Sequence, residues 1–170
     1  MIEAWVRRAE QGDASAQCNL GVLYGSGKGV SQDYTEAAQW FQQAAEQGHA
    51  AGQFNLGALY RDGRGVTRDL AEAARWFGKA AEQGIAPAQY NLGLMFRDGL
   101  GVAQDQVEAL KWLSLAVMNA HEERRGKYSE ARDLLAQQLP QHQAAEAQNR
   151  VRRWKAQTTS WKKKRRVAVA

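Results

Sequence analysis

Three histidines and one cysteine are the residue types in this 170-residue chain best suited to metal or nucleophile chemistry. Their spacing serves neither. His49, His121 and His142 lie far from one another and from Cys18, so they do not supply the closely spaced ligand pairs that a zinc site uses. Gly25-Ser26-Gly27-Lys28-Gly29 mimics a phosphate loop. It lacks the Gly-x-x-x-x-Gly-Lys-Ser/Thr spacing, however, and follows a helical pattern instead of a strand. Ser160 and Lys163 form an isolated serine-lysine spacing near the end of the chain. The expectation is therefore a protein that is not an enzyme and has neither a metal nor a small-molecule cofactor.

Two other groups of residues suit recognition. Asn19, Asn55 and Asn91 recur at a fixed interval, and each amide can both donate and accept a hydrogen bond. They could form a ladder for an extended peptide backbone, with Val22, Ala58 and Leu94 varying in size beside them. Alternatively each satisfies backbone groups of its own or the next unit, which their invariance among changing neighbours favours. Arg61 and Arg97 stand next to Asp62 and Asp98, free to receive a partner's carboxylate or to form surface ion pairs. The second group is Lys162, Lys163, Lys164, Arg165 and Arg166, a run that attracts phosphates or anionic lipid, resembles a nuclear-import signal, or simply stays solvated.

The elements that must position these residues follow from a repeat. Residues 13–48, 49–84 and 85–120 align without gaps at a shift of 36, and 13 of the 36 columns are identical in all three. A period of this size marks a solenoid, whose units bury their apolar faces against one another. Within the first unit Asp13 is a natural N-cap, and Ala16, Leu20 and Leu23 share one face of a helix A. Gly27-Lys28-Gly29-Val30 breaks that helix. Asp33 with Glu36 three residues later then starts helix B in the manner of a capping box, and Gly48 closes it. At 100° per residue Ser15, Asn19, Val22 and Ser26 lie opposite the apolar face of helix A. Gly21, Gly57 and Gly93 sit in the middle of helix A, at a cost of about 1 kcal/mol each against alanine. Close approach of Trp40, Trp76 and Trp112 from helix B is the expected compensation.

Charge is divided unevenly. Residues 1–146 hold 14 Lys and Arg against all 18 Asp and Glu, whereas residues 147–170 hold nine Lys and Arg and no acid. The net +5 thus averages an acid-leaning body and a basic end. One cysteine excludes a disulfide framework. No apolar run suits a signal peptide or a transmembrane helix. A cytoplasmic location is expected, or a periplasmic or secreted one if a leader has been removed.

The pattern Ala-x-Ala-x-x-x-Leu-Gly-x-x-Tyr-x-x-Gly-x-Gly-Val-x-x-Asp, then Ala-x-x-Trp and Ala-Ala-x-x-Gly, runs from Ala14 to Gly48 and, with Gly52 in place of the second alanine, from Ala50 to Gly84. It resembles the Sel1-like repeats, relatives of the tetratricopeptide repeats, with Leu113 and Val117 as departures in the third unit. The resemblance implies an all-α, right-handed solenoid of antiparallel helix pairs with helix A on the concave wall. It also implies a non-catalytic adaptor that binds a protein or peptide there. The expected organisation is a capping helix at 1–12, three repeats over 13–120, capping helices over 121–157 and a disordered basic tail at 158–170. Two alternatives are a nucleic-acid or anionic-membrane binder led by the tail, and an inhibitor or immunity-type protein that blocks one enzyme.

Overall fold

The computed structural model describes residues 2–168 in the backbone and side chains as far as Thr159. The described residues form helices and short connections: α1 (Ile2–Glu10), α2 (Ala14–Ser26), α3 (Tyr34–Glu46), α4 (Ala50–Asp62), α5 (Leu70–Glu82), α6 (Ala86–Asp98), α7 (Gln106–Asn119), α8 (Glu122–Gln138) and α9 (Gln141–Ala168). From α1 to α8 each helix packs on the next in the chain. The helices α2, α4 and α6 are the A helices of the three units, and α3, α5 and α7 are their B helices.

Local chemistry sets each boundary. Gly27, Gly63 and Gly99 end the A helices at φ 67–68°, the left-handed conformation that costs glycine nothing. The loop then returns, and the N–H groups of Asp33, Asp69 and Asp105 donate to the carbonyls of Tyr24, Tyr60 and Phe96, each at 3.0 Å. The same aspartates cap the B helices: Asp33 Oδ1 accepts from the N–H groups of Thr35 and Glu36, and Asp69 Oδ1 from those of Ala71 and Glu72. The reciprocal half of the expected capping box is not formed. The aspartate N–H groups are already given to the carbonyls of Tyr24, Tyr60 and Phe96, and Glu72 and Glu108 turn instead to Arg75 and Lys111, each at 2.6 Å.

The second loop glycine makes the contact between units. A methyl group on Gly65 would lie 2.0 Å from the Tyr34 carbonyl oxygen at the start of α3, and one on Gly101 2.1 Å from that of Leu70 at the start of α5. The loops of the second and third units thus rest on the backbone of the unit before them, a distance only glycine permits.

The mid-helix glycines are explained by a different residue from the one expected. A Cβ on Gly21 would lie 2.6 Å from the Phe41 ring, on Gly57 2.9 Å from Phe77, and on Gly93 2.9 Å from Leu113. Successive helical residues point about 100° apart, so Phe41, Phe77 and Leu113 face the glycine of their own helix A and the adjacent tryptophans do not. Trp40 packs with Ala9, Ala16 and Leu20, and Trp76 packs with Ala37, Ala38 and Phe41 of the preceding unit.

A buried amide ladder, absent from the expectations, ties the units together. Gln17, Gln53 and Gln89 are 3%, 4% and 0% exposed. Their amides donate to the carbonyls of Ala9, Ala45 and Ala81 at 3.1, 3.1 and 3.0 Å, in the last turn of the preceding helix B. Their oxygens accept from Gln47, Gln83 and Asn119 at 2.7, 2.7 and 3.0 Å, at the end of their own helix B. Each rung therefore joins three helices and satisfies groups that helix ends leave open.

At the C-terminal end α8 keeps the register of an A helix, but α9 leaves it and packs on α7. Trp154 meets Trp112 edge-on at 6.3 Å between centroids. Arg150 reaches Glu108 at 2.8 Å, Glu146 at 3.3 Å and Asp105 at 3.6 Å. The backbone of α9 continues to Ala168 in one element of 28 residues. No glycine or proline interrupts residues 141–168. The side chains of Lys162, Lys163, Lys164, Arg165 and Arg166 lie outside the described ones.

Candidate functional site

The A helices place the three asparagines in one row, each half-buried, but their surroundings differ. Asn91 is engaged at both ends: its oxygen accepts from Arg61 Nη1 at 2.7 Å and its amide donates to the Pro87 carbonyl at 2.7 Å. The difference lies in one column. Arg61 bonds the asparagine thirty residues ahead, whereas Gly25 occupies the equivalent position before Asn55, and Arg97 has Lys127 thirty residues ahead instead of an asparagine. Among the described residues, no hydrogen bond reaches the side-chain oxygens of Asn19 and Asn55. Burial pushes the Cys18 thiol up, with the Asn55 side chain acting in the opposite direction.

Val22 is 47% exposed. Ala58 packs against the cluster around Phe77. Leu94 packs against the cluster shared by α7, α8 and α9. The variable column is therefore open at Val22 and half-buried at Ala58 and Leu94. Both arginines form ion pairs with the neighbouring acid, Arg61 with Asp62 and Arg97 with Asp98, each at 2.7 Å. Those guanidinium groups hold the Asp62 and Asp98 carboxyls below the usual range. Each arginine gives its Nε and Nη2 to this pair, and Arg61 gives its Nη1 to Asn91.

The sequence reading missed a groove of about 780 Å³ along the N-terminal ends of α6 and α8. Phe54, Ile85, Ala86, Pro87 and Tyr128 give it an apolar floor, and Asn119, Glu123 and Arg124 contribute polar groups. Neither Ile85 nor His121 caps its helix with a side chain, so the first-turn N–H groups of α6 and α8 are free of side-chain caps. Tyr128 is fixed by stacking on Tyr90 at 4.4 Å, and the Lys127 ammonium sits 5.3 Å from the Tyr90 ring centre. Pro87 belongs both to this groove and to the asparagine row, since its carbonyl holds Asn91. The signal in the sequence was the apolar stretch Ile85-Ala86-Pro87 in a position where Asp13 opens the first unit. A second groove of about 390 Å³ lies between Arg97, Gln104 and Gln106 on one side and Leu134, Leu135 and Gln138 on the other.

Among the described residues no group of His, Cys, Asp and Glu is arranged to hold a metal, and no helix is long and apolar enough to cross a membrane.

Comparison with known proteins gives a consistent result. The Sel1 repeat model matches residues 14–49, 50–85 and 86–121, one residue after the periods read from the sequence. Comparison with curated proteins finds no match. Among solved structures the chain is similar to c5321, a protective antigen of uropathogenic Escherichia coli with an SLR fold. The two share 38% identity at a TM-score of 0.80, over 90% of this chain and 32% of that one. A Sel1 repeat protein from Oxalobacter formigenes is 36% identical at a TM-score of 0.70, over 75% of this chain and 49% of that one. The cysteine rich protein B of Helicobacter pylori is 25% identical at a TM-score of 0.57, over 74% of this chain and 96% of that one. The chain thus spans about a third and a half of the first two relatives. The repeat register, the loop glycines seated on the preceding unit and these matches lead to one conclusion: the chain belongs to the Sel1 repeat family.

Proposed function

We propose that the chain is a non-catalytic interaction module that holds an extended segment of a partner protein along its A helices. Sel1 repeat proteins are generally protein-interaction adaptors, and family members are typically non-catalytic. The observation that carries the finer reading is the 780 Å³ groove, which Pro87 joins to the asparagine row. An apolar floor rimmed by a few polar groups suits alternating side chains of an extended peptide. Asn19 and Asn55 retain unengaged oxygens for its backbone N–H groups, and Val22 is the open position beside them. Arg61 and Asn91 act as a strut between units.

The reading is tested with peptides selected from a random display library on the folded protein. Asn19→Ala/Asn55→Ala and Glu123→Ala/Arg124→Ala should each weaken the selected peptides at least about tenfold, the effect of roughly 1.4 kcal/mol, with the helical melting curve unchanged. Unchanged affinity in both folded variants would reject the A-helix face as the binding site.

A further inference from the structure

Asp62-Gly63 and Asp98-Gly99 are the two aspartate-glycine steps of the chain, and they stand at the ends of α4 and α6. Such a step can rearrange without an enzyme, because glycine has no side chain to shield its amide nitrogen. The nitrogen bonds Cγ of the protonated aspartate, its own proton leaves with the acid hydroxyl as water, and a succinimide ring forms. Water then opens the ring. Attack at the side-chain carbonyl restores aspartate, and attack at the main-chain carbonyl gives isoaspartate, whose backbone is one methylene longer.

Both aspartates are exposed, so burial does not guard them. Two sets of contacts hold the reacting groups apart. The N–H groups of Gly63 and Gly99 donate to the carbonyls of Leu59 and Met95 where each helix ends. The carboxylates are gripped at both oxygens: Arg61 Nε and Nη2 donate to Asp62 at 2.7 and 3.2 Å, and Arg97 Nε and Nη2 donate to Asp98 at 2.7 and 2.8 Å. A fork of this kind favours the ionised carboxylate, which has no hydroxyl to lose, and Cγ must leave it to meet the nitrogen. Both carboxyls accordingly lie below the usual range. The repeat shows the same pairing. The first unit reads Gly25-Ser26-Gly27, with neither arginine nor aspartate, and in the other two units arginine enters together with the aspartate.

We propose that Asp62 and Asp98 are latent isoaspartate modification sites, each kept closed in the folded chain by the arginine before it. Opening them acts on the stack. The added methylene lengthens the main chain just before the loop whose Gly65 or Gly101 sits against the backbone of the preceding unit, and whose Asp69 or Asp105 N–H returns to the Tyr60 or Phe96 carbonyl. Modification at either site therefore loosens the junction between units.

The full chain, Arg61→Gln, Arg97→Gln and Gln53→Met, each shown to be folded by circular dichroism, are incubated in mildly acid buffer. Isoaspartate is located by peptide mapping with mass spectrometry and counted with an isoaspartyl methyltransferase. Wild type unfolded in urea should form isoaspartate at both steps, and folded wild type much less. Arg97→Gln should raise formation at Asp98 several-fold and leave Asp62 at the wild-type rate, and Arg61→Gln should do the reverse. Gln53→Met keeps both arginines at a larger expected cost in stability and should leave both sites slow. An unchanged rate at a variant's own site, a rise at both sites, or a rise in Gln53→Met as large as in the arginine variants would each overturn the proposal, since protection would then come from the helix end or from overall stability. Absence of isoaspartate in urea, or equal rates with and without urea, would overturn it as well.

Discussion

Replacing Gln53 with methionine keeps the volume of a side chain that is 4% exposed and removes its polar bonds. Two hydrogen bonds are lost: Nε2 to the Ala45 carbonyl at 3.1 Å, and the bond that Oε1 accepts from Gln83 at 2.7 Å. The groups left behind have other partners, because the Ala45 carbonyl also accepts from the Gly48 N–H and Gln83 Nε2 also donates to the Gly48 carbonyl. The penalty for orphaned polar atoms is therefore small, and the cost is that of two ordinary bonds, about 1–3 kcal/mol. In a chain of this size that corresponds to roughly 2–10 °C in melting temperature. Urea unfolding followed by helical circular dichroism measures it, and the slope with denaturant should not change. A double-mutant cycle with Gln83→Ala isolates the bond across the unit, for which about 0.5–1.5 kcal/mol of coupling is expected. A loss below about 0.5 kcal/mol together with no coupling would refute the reasoning that the amide ladder binds neighbouring units.

Gly57→Ala places a methyl 2.9 Å from Phe77 and should destabilise by about 1–3 kcal/mol. Gly78→Ala, which meets nothing within 4 Å in the interior of α5, should stabilise by about 0.5–1 kcal/mol; thermal melts of the pair check the opposite signs. Arg150→Ala/Trp154→Ala should release α9, so amide hydrogen exchange should speed up over residues 141–157 and stay unchanged in α2 to α6. Faster exchange everywhere would show that α9 supports the whole stack. Arg61→Gln and Arg97→Gln should each cost about 0.2–1 kcal/mol at neutral pH, as exposed ion pairs do. Because the folded-state carboxyls of Asp62 and Asp98 lie below their ordinary 3.8, this contribution is present above about pH 4 and fades as pH falls through the lower folded value. Unfolding free energies of wild type and Arg97→Gln should therefore converge in acid, whereas Arg61→Gln should keep the loss of its bond to Asn91.

The solenoid was legible because the repeat states its own punctuation. Glycine at 27, 63 and 99, aspartate at 33, 69 and 105 and glycine at 48 and 84 each perform a local task that a single residue type does best. Side-chain direction was less legible. One step along helix B separates Trp76 from Phe77, and the sequence contains both as large aromatics, so only packing reveals which one faces Gly57. Gln17, Gln53 and Gln89 were visible as an identical column, but a glutamine on a helix reads as surface until its burial is known. The asparagine row was legible as a row and not as three equivalent rungs, since its asymmetry depends on Arg61 reaching thirty residues forward. For α9 the apolar side, Ala144, Ala147, Val151 and Trp154, was legible, but its partner helix was not. Its docking on α7 depends on Arg150 and Trp154 meeting Glu108 and Trp112, 42 positions away, outside the 36-residue register.

Mapping a library-selected peptide on the isotopically labelled protein by NMR addresses the binding face most directly. The A-helix account predicts shift changes at the side-chain amides of Asn19, Asn55 and Asn119 and at the backbone amides of Ala86 and Glu123, with the exposed side of the B helices little affected. Changes confined to the exposed side of the B helices, at Gln39, Arg75 and Lys79, would contradict it.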